Sequence, residues 1–218
     1  AVGAVFTPLE WGIWASEKFF LVEKWLNGKT ILDPTCGEGH LLEAIIISAL
    51  KRGLTIAQLP LHRLFGIERE ASFLNHFAER MYARYGVHIP ESNIIHADLL
   101  LDPVTIRCDI LLGNPPWCNF CDLPDDSKAV LKSHFIAHGL TGKTGRMLLG
   151  NSRVDIAALI MVKAIHDHLR ENGEGGFFVP LSLLRGEGAH SEFRKFSIRD
   201  ITFAVPTVYD FGHKDIFG

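Results

Sequence analysis

A mostly parallel α/β sheet with helices on both faces is the fold class this sequence predicts, on three observations. Strand-like apolar runs alternate with longer runs of helical periodicity, the pattern of successive βαβ units. With 218 residues, 47% hydrophobic and 22% charged, the chain can bury one sizeable core and is not a disordered segment. Glycines, acids and an Asn-Pro-Pro-Trp turn stand just after the strand-like runs, where sheets of this kind bind their ligands.

Taken in order, KTILDPT (29–35) is the first strand, and a helix follows from about His40 to Arg52. RLFGIE (63–68) is the second strand; in the helical run 69–86, Phe73, Phe77 and Met81 recur at spacing four and mark one buried face. NIIHADLL (93–100) and CDILLGN (108–114) are the third and fourth strands. Residues 154–173 form a long helix closed by Gly173, followed by the strand GGFFVPLS (175–182), a further helical piece, and ITFAVPTVYDF (201–211) as a sixth strand. The stretch 118–153 is irregular, rich in Gly, Asp and Lys, and reads as a functional insertion or a poorly ordered loop, although KSHFIAH (132–138) within it has helical character. No repeat, low-complexity tract or linker divides the chain, so residues 1–218 read as one domain.

Composition narrows the function classes. A formal charge of −3 provides no global basic field of the kind that marks a free-standing nucleic-acid binder. The longest apolar run, 41–50, is too short to span a bilayer and contains Glu43, and no basic-then-apolar export signal opens the chain, so no membrane partner is expected. Four cysteines without framework spacing suggest a reducing, cytoplasmic setting. The chain opens on Ala1 and ends on KDIFG, and a catalytic fragment of a larger protein is the expectation.

The strand ends carry the chemistry. After the first strand comes DPTCGEGH (33–40), where Gly37 and Gly39 let the backbone turn tightly against a ligand at the start of a helix. Glu68 ends the second strand, an acid suited to two ribose hydroxyls; Asp98 ends the third, and Asn114-Pro115-Pro116-Trp117 the fourth. A dinucleotide fingerprint needs a glycine where Leu42 stands, which argues against NAD. AHGLTGKT (137–144) fits a loose phosphate-loop pattern, but a helix-like run precedes it and Gly145 follows where a helix should begin.

In this order, ILDPTCGEGHLL, GIE, HADLL and DILLGNPPW resemble the S-adenosylmethionine-dependent amino-methyltransferases, and more narrowly the DNA adenine-N6 methyltransferases of restriction–modification systems in their γ motif order. The segment VFTP (5–8) and the strand GGFFVPLSLL extend the resemblance over nearly the whole chain. It implies a Rossmann-like class I methyltransferase fold lacking its last strand, with S-adenosylmethionine as cofactor. Phe6, Thr7 and Pro8 would border the methionine end; Asp33 with Thr35, Cys36, Gly37 and Gly39 would hold the amino-acid part; Glu68 would hold the ribose, and Asp98 with Leu99 the adenine. Asn114 to Trp117 would receive the base to be methylated, flipped out of double-stranded DNA. The target-recognition region of such enzymes has no counterpart here, so further domains or subunits are expected as partners.

The box suits that chemistry. An exocyclic amine is a poor nucleophile, and acceptors on both its hydrogens favour a pyramidal nitrogen. The Asn114 side-chain oxygen and the Pro115 carbonyl can be those acceptors, because the prolines fix φ and remove N–H groups. Trp117 offers a stacking face worth about 1–3 kcal/mol per base. Methylation at a cytosine carbon needs a thiol, typically following a proline, and no Pro-Cys pair occurs. Asn rather than Ser at position 114 resembles the adenine enzymes more than the cytosine-N4 ones.

Several features compete. Cys118, Cys121, His134 and His138 match the spacing of a zinc finger, but its core aromatic position is Asp125 and its first cysteine abuts Trp117; the metal-free reading is preferred. Cys36 reads as a small packing residue. Lys143, Arg146 and Arg153, with Lys128 and Lys132, could contact nucleic-acid phosphates or simply form a solvated face. RNA or a protein glutamine would satisfy the same acceptors, and a non-catalytic subunit that only binds DNA or a partner is the reading from another class.

Overall fold

Five strands build one sheet: β1 (Ile31–Asp33), β2 (Leu64–Glu68), β3 (Ile94–His96), β4 (Cys108–Gly113) and β5 (Leu169–Phe177). Their order is β3-β2-β1-β4-β5 and every pairing is parallel. The computed structural model describes residues 6–141, 154–185, 188–198, 200–205 and 207–212. Strand succession reverses between β1 and β4, so the ligand crevice of such a sheet lies beyond the carboxyl ends of these two strands.

Both faces of the sheet are buried, as parallel sheets require. Ile31, Ile110 and Leu112 point into one core with helices α1 (Leu9–Lys18), α2 (Leu21–Leu26), α3 (His40–Lys51) and α4 (Ala71–Tyr85). Leu32 and Leu111 point into the other, with α5 (Asp125–Ala137) and α6 (Ile156–His168). Helices α1 and α2 are elements to which the sequence reading gives no assignment. A Cβ on Gly12 would stand 2.7 Å from the Ala44 Cβ, so a small residue at 12 lets α1 press onto α3. Helix α4 buries Leu74, Phe77 and Met81, while Phe73 turns aside and is half-buried. Among the described residues no helix is long and apolar enough to cross a membrane.

Three expectations are corrected. The helix read over 154–173 stops at His168, where the Arg107 guanidinium donates to the carbonyls of His166 and Leu169 at 3.3 Å each. The chain then joins the sheet at once: Leu169 pairs with Cys108, residues 170–173 bulge out with Asn172 at φ 60°, and pairing resumes at Glu174 opposite Ile110. The helical piece expected after 182 consists, in its described residues, of short 3-10 turns at Leu181–Leu183 and Phe193–Lys195. The run 201–211 is not a sixth strand of the sheet. Its start, β7 (Ile201–Thr202), pairs antiparallel with β6 (Ser197–Ile198). Its end folds back over α1, with Tyr209 and Phe211 edge-on to Trp14 at 5.1 Å each. That aromatic packing competes with strand extension and wins.

Candidate functional site

A cleft of about 550 Å³ opens at the carboxyl ends of the strands, where the topology puts it. Among the residues singled out from sequence, Phe6, Thr7, Asp33, Thr35, Cys36, Gly37, Glu68, Asp98, Leu99, Asn114 and Pro116 line it. Pro8 instead borders a neighbouring cavity of about 400 Å³ with Phe6 and Thr7. Gly39, Pro115 and Trp117 stand behind the cleft walls rather than in them.

The loop after β1 is built by backbone conformation and by Glu68. Gly37 and Gly39 adopt φ 54° and 72°, the left-handed region that side chains resist. The Cys36 N–H crosses to the Ile67 carbonyl at 2.8 Å, and the Glu68 carboxylate accepts from the Gly37 N–H on one oxygen and the Glu70 N–H on the other, both at 2.9 Å. Glu68 therefore clasps the loop while lining the cleft. From below, Arg80 donates to the Glu38 carbonyl and pairs with the buried Glu43 carboxylate at 2.9 Å. Phe6 covers the turn: a Cβ on Gly37 would meet its ring at 3.0 Å, and the ring stands edge-on to Phe73 at 5.3 Å and His40 at 5.7 Å.

Asp33 is 2% exposed and accepts from the Thr35 N–H at 3.1 Å. Burial pushes its carboxyl up to about 8, and the neighbouring Glu68 charge adds to the rise against the Thr35 hydrogen bond. The same burial, with the charges of Asp33 and Glu68, pushes the Cys36 thiol far up, so it is held as a neutral packing group. Asp98 holds a tight turn, accepting from the Leu100 N–H at 2.8 Å. At the exit of β4, Phe178 N–H donates to the Gly113 carbonyl at 2.9 Å and the Trp117 indole donates to the Phe178 carbonyl at 3.4 Å. The Asn-Pro-Pro-Trp loop is thus laced to the end of β5, with Asn114 on the cleft side, Pro115 buried and Trp117 half-buried.

Sequence reasoning gave no role to several residues the structure brings here. His40 lines the cleft, burial lowers its pKa, and its Nδ1 has no hydrogen-bond partner among the described residues; the same holds for the Thr35 hydroxyl oxygen. A buried polar atom left unpaired costs about 1–3 kcal/mol, which a polar ligand at this end would recover. The position of His40 at the first turn of a helix after a glycine loop was its available signal. Leu123, Val130 and Leu131 of the insertion, and Ile156 and Ile160 of α6, also line the cleft; only the three-dimensional packing reveals them.

The zinc-finger spacing does not assemble. Cys118 and Cys121 contact the Asn119 carbonyl and the Asp122 carboxylate, each at 3.6 Å, and His138 bonds the His134 carbonyl at 2.9 Å. Among the described residues no group of three or more His, Cys, Asp or Glu could hold a metal ion. Lys143, Arg146 and Arg153 lie outside the described residues.

No family model and no curated protein sequence matches this chain. Solved structures do. A putative class I S-adenosylmethionine-dependent methyltransferase from Listeria monocytogenes superposes with TM-score 0.58 at 20% identity, over 88% of this chain and 51% of that one. The methyltransferase subunit of a type I restriction–modification system from Streptococcus thermophilus gives 0.58 at 23% identity, over 89% and 38%. A nuclease-deletion mutant of the Type ISP restriction–modification enzyme LlaGI, in complex with a DNA substrate mimic, gives 0.60 at 18%, over 88% and 22%. This chain spans about half the length of the first and less of the others. At these identities the likeness is one of fold: the sheet and its flanking helices form the class I S-adenosylmethionine-dependent methyltransferase fold.

Proposed function

We propose that this chain binds S-adenosylmethionine and transfers its methyl group to the N6 amino group of an adenine in DNA, as the catalytic part of a restriction–modification methyltransferase. The observation that carries this reading is the meeting of Asn114 with Asp33, Thr35, Gly37 and Glu68 in one cleft at the reversal of strand order. Support comes also from the fold shared with restriction–modification enzymes, one of them determined with a DNA substrate mimic.

The residues present fit the cofactor. It carries a sulfonium and an ammonium, and the cleft supplies Asp33, Glu68, Asp98 and Asp126 with the unsatisfied Thr35 hydroxyl and His40 nitrogen. When bound, it supplies an electrophilic methyl carbon. The protein's part is positioning and fixed polarity. The Asn114 oxygen and the Pro115 carbonyl take the two amino hydrogens and hold the nitrogen lone pair toward the cleft. The two prolines keep those acceptors rigid; Trp117, expected from sequence to be a stacking face, stands half-buried behind the cleft wall and braces the loop through its bond to the Phe178 carbonyl. An adenine inside a duplex cannot reach this loop, so the base is extruded. Target recognition belongs to further domains or subunits.

Methyl-labelled S-adenosylmethionine, offered with unmethylated DNA, RNA and protein, tests the reading. Label on adenine N6 of DNA, abolished by Asn114→Ala, is expected. Label found only on RNA or protein, or unaffected by the substitution, refutes it.

A further inference from the structure

Glu43 is the one acid among the buried residues Leu41 to Ile46 of α3, and it is 1% exposed. Among the described residues, every hydrogen-bond and ion-pair partner of its carboxylate comes from α4. Arg80 Nε donates to one oxygen at 2.9 Å, the Tyr85 hydroxyl donates to the other at 3.0 Å, and Arg84 stands 3.6 Å from the latter. Removing such a pair from water is costly, and an apolar pair of similar volume often joins two helices as well or better. Packing alone therefore gives no reason for charge here; the reason lies in what the pair holds.

The Arg80 guanidinium is engaged on both sides. Beyond Glu43 it donates to the Glu38 carbonyl, and a further nitrogen stands 3.4 Å from the Glu38 carboxylate. Its side chain is 15% exposed and lies over the Phe77 ring at 5.9 Å, and Phe77 packs so closely under Gly39 that a Cβ there would run into the ring. Phe77, Arg80 and Arg84 follow at i, i+3 and i+7, so one face of α4 supports the turn. That turn needs support. Glu38 sits between Gly37 and Gly39, both in the left-handed region, and a peptide flanked by glycines turns over at little cost. Glu68 holds it from the cleft by the Gly37 N–H, and the Gly39 N–H closes on the Cys36 carbonyl at 2.7 Å. The Glu38 carbonyl is a third handle, and Arg80 takes it. Arg80 lines the neighbouring cavity of about 400 Å³ and not the cleft, so it acts on a ligand in the cleft only through the loop.

We propose that Arg80 is a positioning residue for the cofactor: paired with buried Glu43, it fixes the Glu38–Gly39 peptide and so presents the 35–39 turn to the ligand already in its binding conformation. The proposal rests on the S-adenosylmethionine reading above and extends it from residues that touch the ligand to a pair that does not. Lysine at position 80 keeps the charge beside Glu43, but one ammonium lacks the fork that reaches Glu43 and the Glu38 carbonyl together.

Arg80→Lys and the double variant Arg80→Met with Glu43→Gln test this by thermal unfolding, by calorimetric binding of S-adenosylmethionine and by amide exchange in the unliganded chain. The double variant removes both charges, keeps an acceptor for the Tyr85 hydroxyl and is expected to melt close to the wild type. Both variants are expected to bind S-adenosylmethionine about tenfold more weakly, the worth of one hydrogen bond from a charged donor. Their Gly37 and Gly39 amides are expected to exchange about tenfold faster, with those of β1 and β4 unchanged. Wild-type affinity in either folded variant, or weaker binding without faster exchange at the turn, overturns the proposal. So does exchange that rises at the turn no more than in β1 and β4, because the pair would then serve the fold as a whole. A wild-type chain that binds no S-adenosylmethionine refutes the cofactor reading and the proposal with it; unchanged affinity in a folded variant strikes the proposal alone.

Discussion

Asp33→Asn is expected to flatten the pH dependence of stability. The Asp33 carboxyl is 2% exposed and titrates at about 8 in the folded chain, against an ordinary value of 3.8. Below about pH 4 it is protonated in both the folded and unfolded chain and costs nothing. As pH rises the unfolded chain gives up the proton first, while the folded chain keeps it to about 8. Stability therefore falls with rising pH by about 1.4 kcal/mol per unit, and levels off above the folded value. Between pH 5 and 7 this one group removes roughly 2–3 kcal/mol. Asparagine has nearly the same shape, keeps an oxygen for the Thr35 N–H and cannot ionise. Urea unfolding followed by tryptophan fluorescence at pH 5, 6 and 7 gives the two curves, and their difference isolates Asp33. Equal pH slopes in wild type and variant would show that the carboxyl is ionised when folded, and the argument from burial would be wrong. A cationic ligand beside Asp33 must displace the proton, so S-adenosylmethionine is expected to bind more tightly as pH rises toward 8, and this trend is expected to vanish in Asp33→Asn.

Three further outcomes are expected. Gly37→Ala forces a side chain to φ 54° and sets its Cβ 3.0 Å from the Phe6 ring; a cost of about 1–2 kcal/mol in thermal unfolding and weaker cofactor binding follow, and a neutral effect on both would remove the turn from the site. Asp155→Ala loses the α6 cap and the bond to the Cys118 N–H, lowering stability by about 1 kcal/mol, while Asp155→Asn restores most of it; equal damage from both would mean that charge, not acceptance, matters. In native protein at pH 8 a thiol reagent is expected to label Cys121 alone. Cys36 and Cys118 are buried with thiols pushed up by burial, and burial pushes Cys108 to about 12, so rapid labelling of a second thiol would contradict the packing.

What the sequence made legible is what local chemistry decides. The loop 33–40 is readable because only glycine relaxes at the φ values of Gly37 and Gly39, and because the acids and Asn114 follow runs that have no other reason to end there. The four strands before the insertion were placed by the same logic. What was missed depends on partners distant in the chain. Helix α6 stops at His168 because Arg107, 59 residues from His166 in sequence, takes its last carbonyls. Residues 201–211 are apolar enough for a strand, but the Trp14 and Phe19 rings claim Tyr209. Helix α5 buries only Phe135, so its periodicity is faint, and the backbone bonds that clip the chain before it to the start of α6, Phe120 to Val154 and Ile156 to Cys118, are announced by no local pattern. Trp117 reads as an exposed platform because its bond to the Phe178 carbonyl spans 61 residues.

Strand register explains why these distant loops make one site, and in which direction a ligand lies. Ile31 pairs with Ile110 and Leu32 with Leu111, so continuing that register puts Thr35 level with Asn114. Asp33 pairs with Gly66, which puts Thr35 level with Glu68 as well, and Glu68 itself pairs with His96, two residues before Asp98. Neighbouring strands lie about 4.8 Å apart, so Asn114, Thr35 and Glu68 form a row about 10 Å long across three strand ends, with Asp98 beyond it. An elongated ligand laid along that row has one end at β4 and the other at β3. With Asn114 proposed as the acceptor for an amine, the proposed function puts the group to be transferred at the β4 end. A one-residue slip of β4 against β1 would exchange Leu111 with its neighbours between the two cores, at a cost the sheet cannot bear. The burial that holds the hydrophobic register therefore also holds Asn114 on the cleft side.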